Sequence, residues 1–179
     1  MHQARVLIVE DHALVRQGIL AFLDTDPAIE VAGEAADARD AVCKAESLEP
    51  DIILMDLKLP DGDGIHTIAQ IKHRRPEVKV LVLTSFGDEA RVTAAMEAGA
   101  DGYLLKDADG EVLLRSIHAV RRGGMPIHPR VAVYLVKRAL NHKESLESIA
   151  LSERETEVLR LVAQGLSNRA VAEALNISQ

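Results

Sequence analysis

"RVLIVED", residues 5–11, decides the fold. Val6 to Val9 are apolar without interruption, and two carboxylates, Glu10 and Asp11, close the run. A strand with one wet face alternates apolar and polar residues, whereas an unbroken apolar run suits a strand buried on both faces. Outward from this stretch the pattern recurs at Ile52–Met55 in "DIILMD", Val78–Leu83 in "VKVLVLTS" and Tyr103–Leu105 in "DGYLLKD", and more weakly at Ile29–Gly33 in "IEVAGEA". Between the runs lie stretches with helical spacing: Val15, Gly18, Ile19 and Phe22; Ala38, Ala41, Val42 and Ala45; Val92, Ala95 and Met96; and residues 63–74 and 110–122. Strands that alternate with helices predict an α/β fold, a five-stranded parallel sheet wound on both faces.

The chemistry is written where the strands end. Glu10 and Asp11 close the first run, Asp56 the third, Thr84 the fourth and Lys106 the fifth. In a parallel sheet these ends share one edge, where ligands bind at the point at which strand order reverses. Three carboxylates brought that close repel one another unless a cation lies between them, and an all-oxygen donor set suits Mg²⁺. Lys106 and Thr84 can bond an anion beside the metal, an arrangement suited to a phosphoryl group on one carboxylate. Any one of these residues alone is more often a structural or solvated strand end, Thr84 can be just a helix cap, and Tyr103 a filler at the sheet edge. Their combination at four strand ends favours the functional reading.

"VLIVEDHALVRQGI", "DIILMDLKLPDGDG", "VLVLTS" and "GADGYLLKDA" resemble the receiver domain of bacterial two-component response regulators, over residues 4–122. The resemblance implies a flavodoxin-like fold with Asp56 as phosphoacceptor for a sensor histidine kinase. It implies Mg²⁺ held by Glu10, Asp11, Asp56 and the backbone carbonyl of Lys58, with Pro60, Gly62 and Gly64 shaping the loop after the acceptor strand. Thr84 and Lys106 would bond the phosphoryl group, and Tyr103 would be the aromatic that reports it. Self-phosphorylation from a donor and slow autodephosphorylation are then expected, with no enzymatic turnover, and receiver pairing implies a phosphorylation-dependent homodimer. Two departures stand out. Glu10 replaces the more usual aspartate, so it is expected to reach the metal through water. Asp107 replaces the proline that often follows the lysine, which leaves the isomer of the Lys106–Asp107 peptide open. Two other classes share the architecture: an aspartyl-phosphate hydrolase, which would need a substrate pocket, and a flavin carrier, which would need a phosphate loop where Glu10-Asp11-His12 stands.

Composition narrows the setting. The 179 residues are 47% hydrophobic and 27% charged, ordinary for a soluble globular protein. No apolar run approaches the roughly 20 residues that span a bilayer, and the N-terminus has no signal-peptide layout; a cytoplasmic protein without a membrane partner is expected. Of the net charge of −7, residues 1–122 carry −8 and the remainder +1, which argues against nucleic-acid binding by the larger part. Cys43, the single cysteine, is expected to be a buried spectator. The histidines, His12 among them, are expected on the surface, since no two have metal-site spacing on one helix.

Gly123, Gly124, Pro126 and Pro129 mark a boundary after residue 122. Residues 123–147 read as a linker with one helix over 130–140. In residues 148–179, Ser152 and Glu155 form a capping box, and Gly165 stops a first helix before a second begins near Ser167. This tail resembles the first part of the LuxR-type helix-turn-helix of the NarL/FixJ class, with a helical dimerisation hairpin as the alternative. The resemblance implies transcriptional control at promoter DNA. The base-reading helix would only begin at Ser178, with its body absent from these residues, so specific DNA binding is expected of the complete protein and not of this chain. Ser167, Asn168 and Arg169, at a helix N-terminus, are candidates for phosphate contacts.

Overall fold

The computed structural model describes residues 3–85 and 87–136. Strands β1 (Ala4–Val9), β2 (Ile29–Ala35), β3 (Ile52–Met55), β6 (Lys79–Thr84) and β7 (Gly102–Leu105) form one sheet in the order β2-β1-β3-β6-β7, every pairing parallel. Two further strands, β4 (Lys58–Leu59) and β5 (Gly62–Asp63), make a small antiparallel hairpin after β3 that the sequence reading did not anticipate. The helices are α1 (Ala13–Leu23), α2 (Ala38–Ser47), α3 (Gly64–Arg74), α4 (Glu89–Glu97) and α5 (Gly110–Arg121).

The unbroken apolar runs have a simple cause. Successive side chains of a strand point to opposite faces, and here each face has its own core. Leu7, Val9, Ile53, Met55, Val80 and Val82 pack on one side with Ile68 and Ile71 of α3 and with Val92 of α4. Val6, Ile8, Ile52, Leu54, Leu81 and Leu83 pack on the other with Ile19 and Leu23 of α1 and with Ile117 and Val120 of α5. Edge strand β2 is buried only at its ends, Ile29 and Ala35, with Glu30 and Glu34 exposed and its middle half-buried, which is why its sequence signal is weak. Aspartates start three helices by accepting backbone N–H bonds: Asp37 from Asp40 at 2.7 Å, Asp63 from Ile65 at 3.0 Å and Asp88 from Arg91 at 3.0 Å.

Cys43 corrects its expectation. It is exposed, because α2 buries Ala41, Val42 and Ala45 and turns the position between them outward. His118 is no free surface residue either: its Nε2 lies 2.6 Å from Asp26 Oδ2, and this bond holds the Asp26 carboxyl below the usual range.

The chain stays packed past residue 122. Ile127 pairs in parallel with Tyr103, a helical segment follows at 129–136, and Val131 is fully buried against the core while Val133 and Val136 are exposed. Burying one such side chain contributes about 1.5–3 kcal/mol, enough to hold a short segment in place. The first compact unit accordingly runs to Lys137. No helix among the described residues is long and apolar enough to cross a membrane.

Candidate functional site

Strand order reverses between β1 and β3, and the candidate site sits where those strands end. Asp56 follows β3, and its amide donates to the carbonyl of Val9 at 2.9 Å, which sets the two strand ends side by side. Asp56 and Glu10 are almost wholly buried, at 3% and 1% exposure. Burial of two carboxylates is costly unless they are paired. Their partner is Lys106, just beyond β7, whose ammonium lies 2.6 Å from Asp56 Oδ2 and 2.5 Å from Glu10 Oε2. Burial alone would lower the Lys106 pKa, but the bonds to Asp56 and Glu10 outweigh it and raise the pKa above the ordinary lysine value.

The other oxygens are held by local geometry. Lys58 donates its amide to Asp56 Oδ1 at 3.3 Å, and Glu10 Oε1 accepts the His12 amide at 3.0 Å. Arg16 of α1 donates to the Glu10 carbonyl at 2.7 Å and to Glu34 of β2 at 2.7 Å, tying the strand end to its neighbour. Gly64 lets the acceptor loop fold back: a Cβ there would lie 2.4 Å from the Asp56 carbonyl oxygen, closer than atoms allow.

Asp11 is the exception. Its Oδ1 is buried without a hydrogen-bond partner, although His12 Nδ1 lies 2.7 Å away in poor alignment. An orphaned anionic oxygen is costly unless a cation meets it. Ligand atoms of Glu10, Asp11, His12 and Asp56 all lie within 4.8 Å of one another, so this group could hold a metal ion, and its carboxylates suit a hard one.

Thr84 and Tyr103 are buried on the adjoining strands β6 and β7. The Lys106 amide donates to the Thr84 carbonyl at 2.9 Å, linking the two strand ends. Burial raises the Tyr103 phenol well above its ordinary pKa, and the charges of Asp88 and Asp56 add to this while Arg91 opposes it. The Lys106–Asp107 peptide, left open by the sequence, is trans.

Structure thus brings together Glu10, Asp11, Asp56 and Lys106, with Thr84 and Tyr103 on the adjoining strands and Lys58 in the β4–β5 hairpin. Ser167, Asn168 and Arg169 lie outside the described residues. Sequence reasoning set His12 aside as a surface residue; it is exposed, yet it leans on the acidic pair, and its place directly after that pair was the available signal. Arg16 left no signal, because its partners are a backbone carbonyl and a residue on another strand.

Comparison with known proteins shows the family. Residues 6–118 match the family described as the response regulator receiver domain, and residues 149–179 match bacterial regulatory proteins of the luxR family. The chain is 41% identical over 174 residues to the response regulator protein VraR of Staphylococcus aureus, covering 97% of this chain and 82% of that protein. It resembles the crystal structure of a LuxR-family two-component response regulator from Aurantimonas sp. SI85-9A1, with a TM-score of 0.73 and 33% identity, over 77% of this chain and 99% of that one. A structure of two RcsB dimers bound to two parallel DNAs matches with a TM-score of 0.69 and 29% identity, over 99% of this chain and 85% of that one.

Proposed function

We propose, starting from the fact that this chain belongs to the response regulator receiver family and is a two-component response regulator with a luxR-type DNA-binding region, that Asp56 is its phosphoacceptor. One observation carries the reading: the buried Asp56 carboxylate lies 2.6 Å from the Lys106 ammonium, and ligand atoms of Asp56, Glu10 and Asp11 lie within 4.8 Å of one another. A carboxylate oxygen of Asp56 attacks the phosphorus of a phosphohistidine on a sensor histidine kinase. The O–P bond forms, the P–N bond breaks, and the imidazole leaves with that electron pair. Lys106 stays with its positive charge against the phosphoryl oxygens. Thr84 donates its hydroxyl to the same group, and Tyr103 fills the space behind it.

The site fits Mg²⁺, which Glu10, Asp11, Asp56 and the Lys58 carbonyl would hold. Bound there, it supplies positive charge that lets the carboxylates and an incoming phosphoryl group share a small volume. In this reading the chain is a switch, modified once per signal, and not a turnover catalyst.

Output of the complete protein is to promoter DNA, with Ser167, Asn168 and Arg169 as phosphate contacts. We place the protein in the cytoplasm, where kinase and DNA meet. Phosphorylation favours a homodimer; the exposed apolar Leu14, Val15 and Phe22 of α1, beside α5, offer surface for such a contact to cover. Incubation with acetyl phosphate and Mg²⁺ tests the central assignment. Intact mass should rise by one phosphoryl group, and Asp56→Asn should abolish the gain; undiminished labelling of that variant would refute it.

A further inference from the structure

Residues 126–136 carry an inference beyond the phosphoacceptor site. Tyr103 donates its amide to the Pro126 carbonyl at 2.9 Å, and His128 donates its amide to the Tyr103 carbonyl at 2.8 Å. Both backbone groups of the tyrosine on its outer side are thus taken by this segment, which meets β7 in a single parallel bridge between Ile127 and Tyr103. Gly102 permits the approach, since a Cβ there would lie 2.9 Å from the Pro126 oxygen. Beyond it, Val131 is fully buried in the same core as Tyr103. At the far end Arg130 lies 3.3 Å and His128 3.9 Å from Asp107, the residue after Lys106. The segment therefore touches β7 at the tyrosine, and just beyond the strand it touches Asp107, beside the lysine that bonds Asp56.

We propose that residues 126–136 form a clasp that docks on β7 together with the inward Tyr103 side chain, so that phosphorylation of Asp56 and docking of the clasp stabilise each other. The physical reason is shared volume and shared backbone. The clasp packs Val131 into the core that holds the inward ring, and an outward ring would remove part of that packing. A phosphoryl group that draws Thr84 and Lys106 toward itself favours the inward ring and fixes the Lys106–Asp107 end of the strand, where Arg130 is tethered. Any such coupling is reciprocal: if the phosphoryl group favours the docked clasp, the docked clasp favours the phosphorylated state by the same factor. The chain that forms the clasp runs on toward residues 149–179, so the device would pass the state of Asp56 to the output through covalent connection. This proposal rests on the reading of Asp56 as phosphoacceptor.

The test uses the full chain with acetyl phosphate and Mg²⁺, following intact mass and backbone amide exchange together. Phosphorylation should slow exchange of the His128 amide severalfold while leaving Ile53 in the central sheet unchanged. Val131→Ser should speed His128 exchange even without phosphodonor and shorten the lifetime of the phosphoryl group on Asp56; Val131→Ile should retain both properties. Should Val131→Ser fail to fold, Asp107→Ala, which removes the contacts to Arg130 and His128 and no core side chain, should shift His128 exchange and phosphoryl lifetime in the same direction. No mass gain at Asp56 would overturn the phosphoacceptor reading and the clasp with it. A normal mass gain with unaltered His128 exchange and unaltered phosphoryl lifetime in the variants would overturn the clasp alone.

Discussion

Lys106 Nζ lies 2.6 Å from Asp56 Oδ2, although 50 residues of chain separate them. The same ammonium meets Glu10, so one cation compensates two buried carboxylates. Lys106→Met would leave both facing each other without it, a loss of about 3 kcal/mol for breaking a buried pair. The expected result is a lower urea midpoint that Mg²⁺ partly restores. An unchanged midpoint would mean that the carboxylates are compensated elsewhere.

Asp11 and Glu10 differ in what they have to offer a metal. Asp11 Oδ1 accepts no hydrogen bond and has only the His12 ring beside it, whereas both Glu10 oxygens accept bonds, one from the His12 amide and one from Lys106. Asp11→Ala should therefore weaken Mg²⁺ binding more than Glu10→Ala, measured by calorimetry on the unphosphorylated protein. The opposite order would place the cation on the glutamate side.

Gly64 is constrained by a close approach and not by a left-handed backbone. Gly64→Ala puts a methyl group against the carbonyl of Asp56 and the Cα of Leu57, at 2.4 and 2.6 Å. The acceptor loop must shift, so phosphorylation by acetyl phosphate should slow markedly while the Ile53 amide stays protected. Wild-type rates in this variant would show that the loop position is immaterial to the chemistry.

The Tyr103 phenol gives a pH dependence of definite sign. Burial raises its pKa in the folded state above the ordinary value of 10.0, so the native state keeps a proton that the unfolded chain releases. The tyrosine's contribution is complete below pH 10.0 and is lost as pH rises from there toward the folded pKa. Thermal midpoints should fall above that pH, and less steeply in Tyr103→Phe. Equal slopes in the two proteins would assign the fall to other groups, Lys106 first among them.

Much of this was legible in the sequence, for physical reasons. The central strands are covered on both faces, so they appear as unbroken apolar runs, and parallel topology carries their terminal residues to one edge. Glu10, Asp11, Asp56 and Lys106 followed from that alone. The β4–β5 hairpin did not, because two-residue strands are set by backbone pairing and by the space that Gly64 leaves. His12 is on the surface as expected; its contact with Glu10 and Asp11 was not legible, because a contact with immediate neighbours has no spacing signature. Gly123, Gly124, Pro126 and Pro129 do end α5, but nothing in their identity tells that the Pro126 carbonyl then accepts from Tyr103.

The outward-facing Cys43 has a practical use. As the single thiol of the chain it would accept a maleimide dye at one position, with no competing site to remove. Cys43 lines the same cleft as Asp61, Gly62 and Asp63 of the acceptor loop. A fluorophore there would watch that loop in real time, turning the unaltered protein into its own optical sensor.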